Sequence, residues 1–191
     1  MPFIARHPGR IPAGVVCDSL VSAYDFMPTL LDYLGVKPLD MAKRPGVSFV
    51  PALLGQGFER PGGIVVMDEY GPNRMLRDQR YKYIARYPYG PNALYDLKAD
   101  PGEQDNLLAH GGFEALEQEL RGRLEKWFAK YVNPEIDGAR EAVFGSGQIG
   151  LAGLWGAGVS AHSCDDYIKK NPNYALYRVC LLYTSPSPRD A

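Results

Sequence analysis

Cysteine is too scarce in this chain to hold it together. Cys17, Cys164 and Cys180 are an odd number, and none sits in a C-x-x-C pair, so neither a disulfide framework nor a thiolate zinc site is expected. Histidine is equally thin: His7, His110 and His162 lie far apart and show no ligand spacing. Charge of one sign is missing too. The formal net charge is -1, so no global basic field draws the chain to nucleic acid or to an anionic membrane. No apolar run approaches the roughly 20 residues of a membrane helix. The opening residues, Met1-Pro2-Phe3-Ile4-Ala5-Arg6, lack the apolar core of a signal peptide. They read as a strand entered mid-fold, and Met1 is therefore expected not to be the natural start.

What is present is ordinary globular composition, 46% hydrophobic and 23% charged, over 191 residues, enough for one large or two small domains. Four stretches differ in character. Residues 1–57 carry a short apolar strand at 2–7, stopped by Pro8-Gly9, and a helix over 22–34. Ser22 is its N-cap and Asp25 completes a capping box. Tyr24, Met27, Leu30, Leu31 and Leu34 recur at helical spacing, Gly35 ends the run, and Pro28 implies a start nearer Met27 or a kink. Residues 58–134 read as a small α+β unit. Its strands fall at 64–68, 74–77, 80–87 and 93–97, the third showing Tyr81, Tyr83 and Ala85 in alternation with Lys82, Ile84 and Arg86. A long helix follows, with Phe113, Leu116, Leu120, Leu124, Trp127, Phe128 and Tyr131 as one apolar stripe, until Asn133-Pro134 stops it. Residues 135–178 are a Gly-rich extension. Residues 179–191, with Thr184-Ser185-Pro186-Ser187-Pro188-Arg189, have the composition of a disordered or non-native tail.

The most specific stretch is residues 94–108, L-Y-D-L-K-A-D-P-G-E-Q-D-N-L-L. Leu94 and Leu97 flank Tyr95-Asp96 as in a half-buried strand. Asp100-Pro101-Gly102 is a turn signal, Glu103 is spaced to cap a helical turn, and Asn106 can cap or turn the chain before Leu107-Leu108. Each residue alone is explained by turn chemistry. Their joint spacing resembles the carboxy-terminal signature of the type I, formylglycine-dependent sulfatases, which are arylsulfatase-like members of the alkaline-phosphatase-like superfamily. The strand at 2–7 and Asp25-x-x-Pro28-Thr29-Leu30-Leu31 resemble the last part of the sulfatase α/β domain. The resemblance implies an α/β parent fold, with this chain supplying the end of the α/β domain and then a small antiparallel four-stranded sheet under one long helix.

It also implies a reaction that the chain does not carry. Sulfatases of this type oxidise Cys or Ser in C/S-x-P-x-R to formylglycine, use calcium to polarise the sulfate, and balance the developing charge with cationic side chains. Cys17, Cys164 and Cys180 lack that context, and Ser185-Pro186-Ser187-Pro188-Arg189 has serine where proline is needed. No catalytic or metal residue is assigned. The Asp165-Asp166 pair reads as a solvated loop. The catalytic segments are expected upstream of residue 1, and the chain alone is expected to be inactive. Calcium and formylglycine belong to the full-length parent.

Substrate selection is the contribution left to this half. Glu69, Tyr70 and Arg74 lie in or beside the polar turn between two strands, and Tyr89 lies in a rigid Tyr-Pro-Tyr-Gly-Pro loop. Arg offers paired donors to planar oxyanions, and tyrosine can stack on a sugar ring. Arg74, Arg77, Arg80, Lys82 and Arg86 on one hairpin read equally as solvated edge charge. The expected partner of the parent is a sulfated small molecule or glycan, with no nucleic acid and no membrane. Two other readings stay open: a phosphoester hydrolase or transferase of the same superfamily, and a stand-alone module binding anions or sulfated glycans. The compartment is unassigned, with a lean to periplasmic or secreted.

Overall fold

The computed structural model describes residues 3–37, 41–68, 73–87 and 90–139. The Gly-rich extension beyond Ala139 and the Pro/Ser tail lie outside the described residues. The chain divides into two compact units. The first is Met1–Ile64 with Arg77–Arg80, and the second is Val65–Leu76 with Tyr81–Ala191. The division falls at 64/65, beyond the composition change at 57/58.

The first unit is built around a short helix and a buried carboxylate. A 3-10 turn at Ala23–Asp25 leads into α1 (Phe26–Tyr33). The Ser22–Asp25 capping box is present, and the Ser22 N–H donates to Asp25 Oδ2 at 2.7 Å. Pro28 sits in the first turn of α1, where its missing N–H has no intrahelical partner to lose, so the helix needs no kink. At the other end the Gly35 N–H reaches Asp32 O at 3.0 Å and the Val36 N–H reaches Leu31 O at 2.8 Å. That pair of bonds needs a left-handed residue, supplied by Gly35 at φ 69°.

Asp25 is fully buried and accepts from three groups: the Ser22 N–H, the Val47 N–H at 2.9 Å, and the Arg60 guanidinium. Arg60 also donates to Gly63 O at 2.8 Å and lies over the Tyr24 ring. Thr29 bridges the same region. Its hydroxyl donates to Asp25 O at 2.6 Å and accepts from the Phe49 N–H at 3.0 Å, just before α2 (Val50–Leu53). Gly46 allows this closeness: it has φ 123°, and a Cβ there would overlap the Tyr24 carbonyl oxygen. So the Asp25-x-x-x-Thr29 spacing on one helical turn pins residues 47–49 by side-chain hydrogen bonds.

Residues 3–7 are not a strand. They have no regular secondary structure, and Phe3 is 50% and Ile4 91% exposed. Apolar composition selects an extended backbone, but a ladder also needs a neighbouring strand, and no strand lies in residues 3–63 of the described chain.

The second unit contains nearly all of a four-stranded antiparallel sheet in the order β1-β2-β3-β4. The strands are β1 (Ile64–Met67), β2 (Asn73–Arg77), β3 (Tyr81–Arg86) and β4 (Ala93–Asp96). β3 and β4 pair with Tyr83 opposite Leu94 and Ile84 opposite Ala93. Alternation puts Tyr83 and Ala85 inward, as their period-2 pattern requires. α3 (Glu114–Tyr131) covers that face, and Leu120, Leu124 and Phe128 join Val65, Leu76, Tyr83, Ala85 and Leu94 in one core. Each fully buried aliphatic side chain contributes about 1.5–3 kcal/mol. Glu114 and Glu117 in the first turn and Lys130 in the last complement the helix dipole.

Candidate functional site

The signature residues turn out to be a brace for the last strand. Buried Asp96 ends β4 and accepts from the Lys98 N–H at 3.1 Å and the Ala99 N–H at 3.4 Å, turning the chain. Asp100 closes the next loop by accepting from the Asp105 N–H at 2.8 Å. Asn106 then folds back on β4. Its Oδ1 accepts from Leu94 N at 2.9 Å and Leu108 N at 3.3 Å, and its Nδ2 donates to Asn92 O at 3.2 Å. One side chain thus satisfies the outer edge of β4, which would otherwise present bare N–H and C=O groups.

Glu103 departs from expectation. It sits at φ 54°, a left-handed conformation incompatible with a helical turn, and its carboxylate pairs with Lys82 Nζ at 2.5 Å on β3. Reaching the neighbouring strand uses the acid that a cap would have needed.

Of the four residues singled out for substrate contact, Glu69, Tyr70 and Tyr89 lie outside the described residues. Arg74 is described, and it faces inward. It is 6% exposed, its guanidinium pairs with Asp137, and it stacks over Phe128 at 3.7 Å and Tyr87 at 5.0 Å. Asp137 also accepts from the Ala139 N–H at 3.0 Å. Arg74 therefore ties β2 to the chain that follows α3. The other hairpin cations do not gather around it. Lys82 is held by Glu103, Arg86 donates to Pro91 O at 2.7 Å, and Arg77 and Arg80 are exposed in the first unit. The Asp68 carboxylate accepts from Asn73 Nδ2 at 2.6 Å and from Asn73 N at 3.3 Å, joining the residue after β1 to the first residue of β2.

Two phenols, the fully buried Tyr83 and the half-buried Tyr87, lie at the core of the second unit. Burial raises the Tyr83 hydroxyl well above its usual value, and the Glu117 charge adds to this; the hydroxyl donates to Glu117 Oε1 at 3.3 Å. Burial and the Glu125 charge raise Tyr87, against the opposing pull of Arg74 and Arg121. The folded chain thus holds both protons more tightly than the unfolded chain, whose phenols titrate near ~10. Stability is intact below that value. It falls as pH rises further, because the unfolded state then releases protons that the folded state retains. Urea midpoints should hold steady from about pH 7 to 9 and drop above about pH 10. In Tyr83→Phe/Tyr87→Phe the drop should be shallower, and an unchanged alkaline slope there would contradict this origin.

The first unit holds an open cavity of about 860 Å³ with Phe3, Ile4, Val15, Val16, Phe49 and Leu53 among its walls and the exposed Cys17 beside them. Its lining is mostly apolar and brings together no nucleophile–base pair. Among the described residues, no group of three or more His, Cys, Asp or Glu is placed to hold a metal ion. No helix among them is long and apolar enough to cross a membrane.

A meander sheet covered by one helix makes the second unit a small α+β layer. The chain belongs to the sulfatase family: the model described as N-sulphoglucosamine sulphohydrolase, C-terminal, matches residues 1–130. An ulvan-active sulfatase of Formosa agariphila is 30% identical over 164 residues, covering 66% of this chain and 32% of that protein. A delta 4,5-hexuronate-2-O-sulfatase of Bacteroides thetaiotaomicron is 32% identical over 139 residues, covering 68% of this chain and 28% of that protein. Among solved structures, a chain from work on the metabolism of multiple glycosaminoglycans by Bacteroides thetaiotaomicron superposes with a TM-score of 0.52 at 25% identity. It covers 68% of this chain and 30% of that one. The chain thus spans about a third or less of the length of these relatives and corresponds to the carboxy-terminal part of a sulfatase with an alkaline-phosphatase-like fold.

Proposed function

We propose that this chain completes a sulfuric ester hydrolase acting on sulfated saccharides, with the reacting groups in sequence upstream of residue 1. The observation that carries this reading is the family match over residues 1–130. Two relatives named for ulvan and for hexuronate 2-O-sulfate supply the saccharide class. Calcium and formylglycine are the groups the family implies. The described residues do not fit either one: no metal-holding cluster is among them, and the chain has no C/S-x-P-x-R sequence. No chemical step is therefore assigned to its side chains.

The role left for the second unit is to shape a pocket. Glu69, Tyr70 and Tyr89 are the proposed substrate contacts, the first two falling in sequence between the hydrogen-bonded pair Asp68 and Asn73. Arg74 ties β2 to Asp137 and Phe128. A periplasmic or secreted compartment suits a polysaccharide substrate.

The test is sulfate release. The purified 191-residue chain, supplied with calcium and an aryl sulfate, should release none above background. Turnover by the chain alone would overturn the assignment of the chemistry to upstream sequence.

A further inference from the structure

We propose that the exposed face of α1, together with Phe3, is a packing surface for the part of the same polypeptide that precedes residue 1. α1 is amphipathic in the reverse sense for a surface helix. Asp25, at its N-cap, and Thr29 are buried, and both are engaged in hydrogen bonds within the unit. The large apolar side chains face the other way. Phe26 is 50% exposed, Met27 37%, Leu30 43%, and Leu34 at the C-cap 61%. At helical spacing these four fall on one arc of about 100°, the width of a stripe that faces a core.

An isolated exposed leucine needs no partner, but a contiguous apolar stripe marks an interaction surface. Arg44 meets this one at its rim, with Nη1 3.6 Å from Met27 Sδ. Two observations select the occupant. Phe3 lies against the stripe, its ring centroid 6.4 Å from that of Phe26 and 5.5 Å from that of Phe49. Chain entering at residue 1 therefore arrives beside the patch, and a tethered surface acts at high effective concentration. The relatives also extend well beyond this chain, which covers 32% of one and 28% of another, and the matching model is a carboxy-terminal one, so the outstanding length falls upstream. A second copy fits less well. α1 has eight residues, about 12 Å of helix, whereas a stable dimer sets roughly 20–30 residues of each partner against the other.

The proposal rests on the reading that the rest of the hydrolase lies upstream. The test compares maleimide labelling of Leu30→Cys, in a Cys17→Ser/Cys164→Ser/Cys180→Ser background, between the 191-residue chain and the product of the frame extended upstream. Mass spectrometry of the peptide carrying residue 30 reads the rate. Lys126→Cys, on the solvent face of α3, is the control. In the 191-residue chain the two should label within about threefold of each other. In the longer product Leu30→Cys should slow by about tenfold or more, and Lys126→Cys should not. Leu30→Gln, which keeps helix propensity, should leave the urea midpoint of the 191-residue chain in place and lower that of the longer product. Undiminished labelling at residue 30 in a longer product that releases sulfate would overturn this proposal and leave the upstream chemistry standing. A frame that stops directly before Met1 would overturn both. Slow labelling of the 191-residue chain that speeds up on dilution would make a second copy the occupant and overturn the proposal as well.

Discussion

Asp25→Ala should remove about 3–5 kcal/mol of stability from the first unit, the cost of orphaning one member of a buried ion pair. Asp25 is wholly buried and Arg60 nearly so, and the pair brings together residues 35 apart in sequence. Deleting the carboxylate strands a buried guanidinium. It also leaves the Ser22 and Val47 N–H groups without their acceptor. The two effects reinforce each other, because an unsatisfied buried donor costs its own desolvation of about 1–3 kcal/mol. Arg60→Met in the Asp25→Ala background should recover part of the loss, since the stranded charge is gone while the aliphatic volume stays. Urea unfolding of the four combinations measures the coupling. A loss below about 1 kcal/mol for Asp25→Ala, or strict additivity in the cycle, would mean that the pair is not the centre of this unit.

Leu94→Ala should cost about 2–5 kcal/mol, the range for truncating a fully buried leucine whose surroundings cannot collapse. Leu94 is 0% exposed, lies opposite Tyr83 on β3, and belongs to the core beneath Leu120 and Leu124. The strand is held on both sides, by its ladder with β3 and by Asn106 on its outer edge, so it has little freedom to move into the gap. Leu97→Ala, at a half-buried position beyond the end of β4, should cost clearly less. Comparable losses at the two positions would show that the strand shifts to fill the space.

The elements with strong periodicity were legible before any coordinates. The α3 stripe and the alternation of β3 placed those elements within a residue of their observed bounds, because burial on one face imposes the period. The Ser22–Asp25 box was legible for a local reason: both partners lie within one turn. What escaped was long-range. Nothing in the spacing links Arg60 to Asp25 or Thr29 to Phe49, because a side-chain contact across tens of residues leaves no period. Glu103 escaped because its partner Lys82 lies on another strand. Residues 3–7 misled because apolar extended sequence reports backbone preference, while a strand requires a partner. Arg74 could have been placed. It sits two residues before Leu76, so period 2 puts both on the inner face, a signal that the turn composition around it obscured.

The most direct test of the central claim is the coding sequence immediately upstream of Met1. The account predicts an open frame continuing upstream and containing a C/S-x-P-x-R pattern. An in-frame stop codon directly before Met1, in an intact transcript, would contradict it.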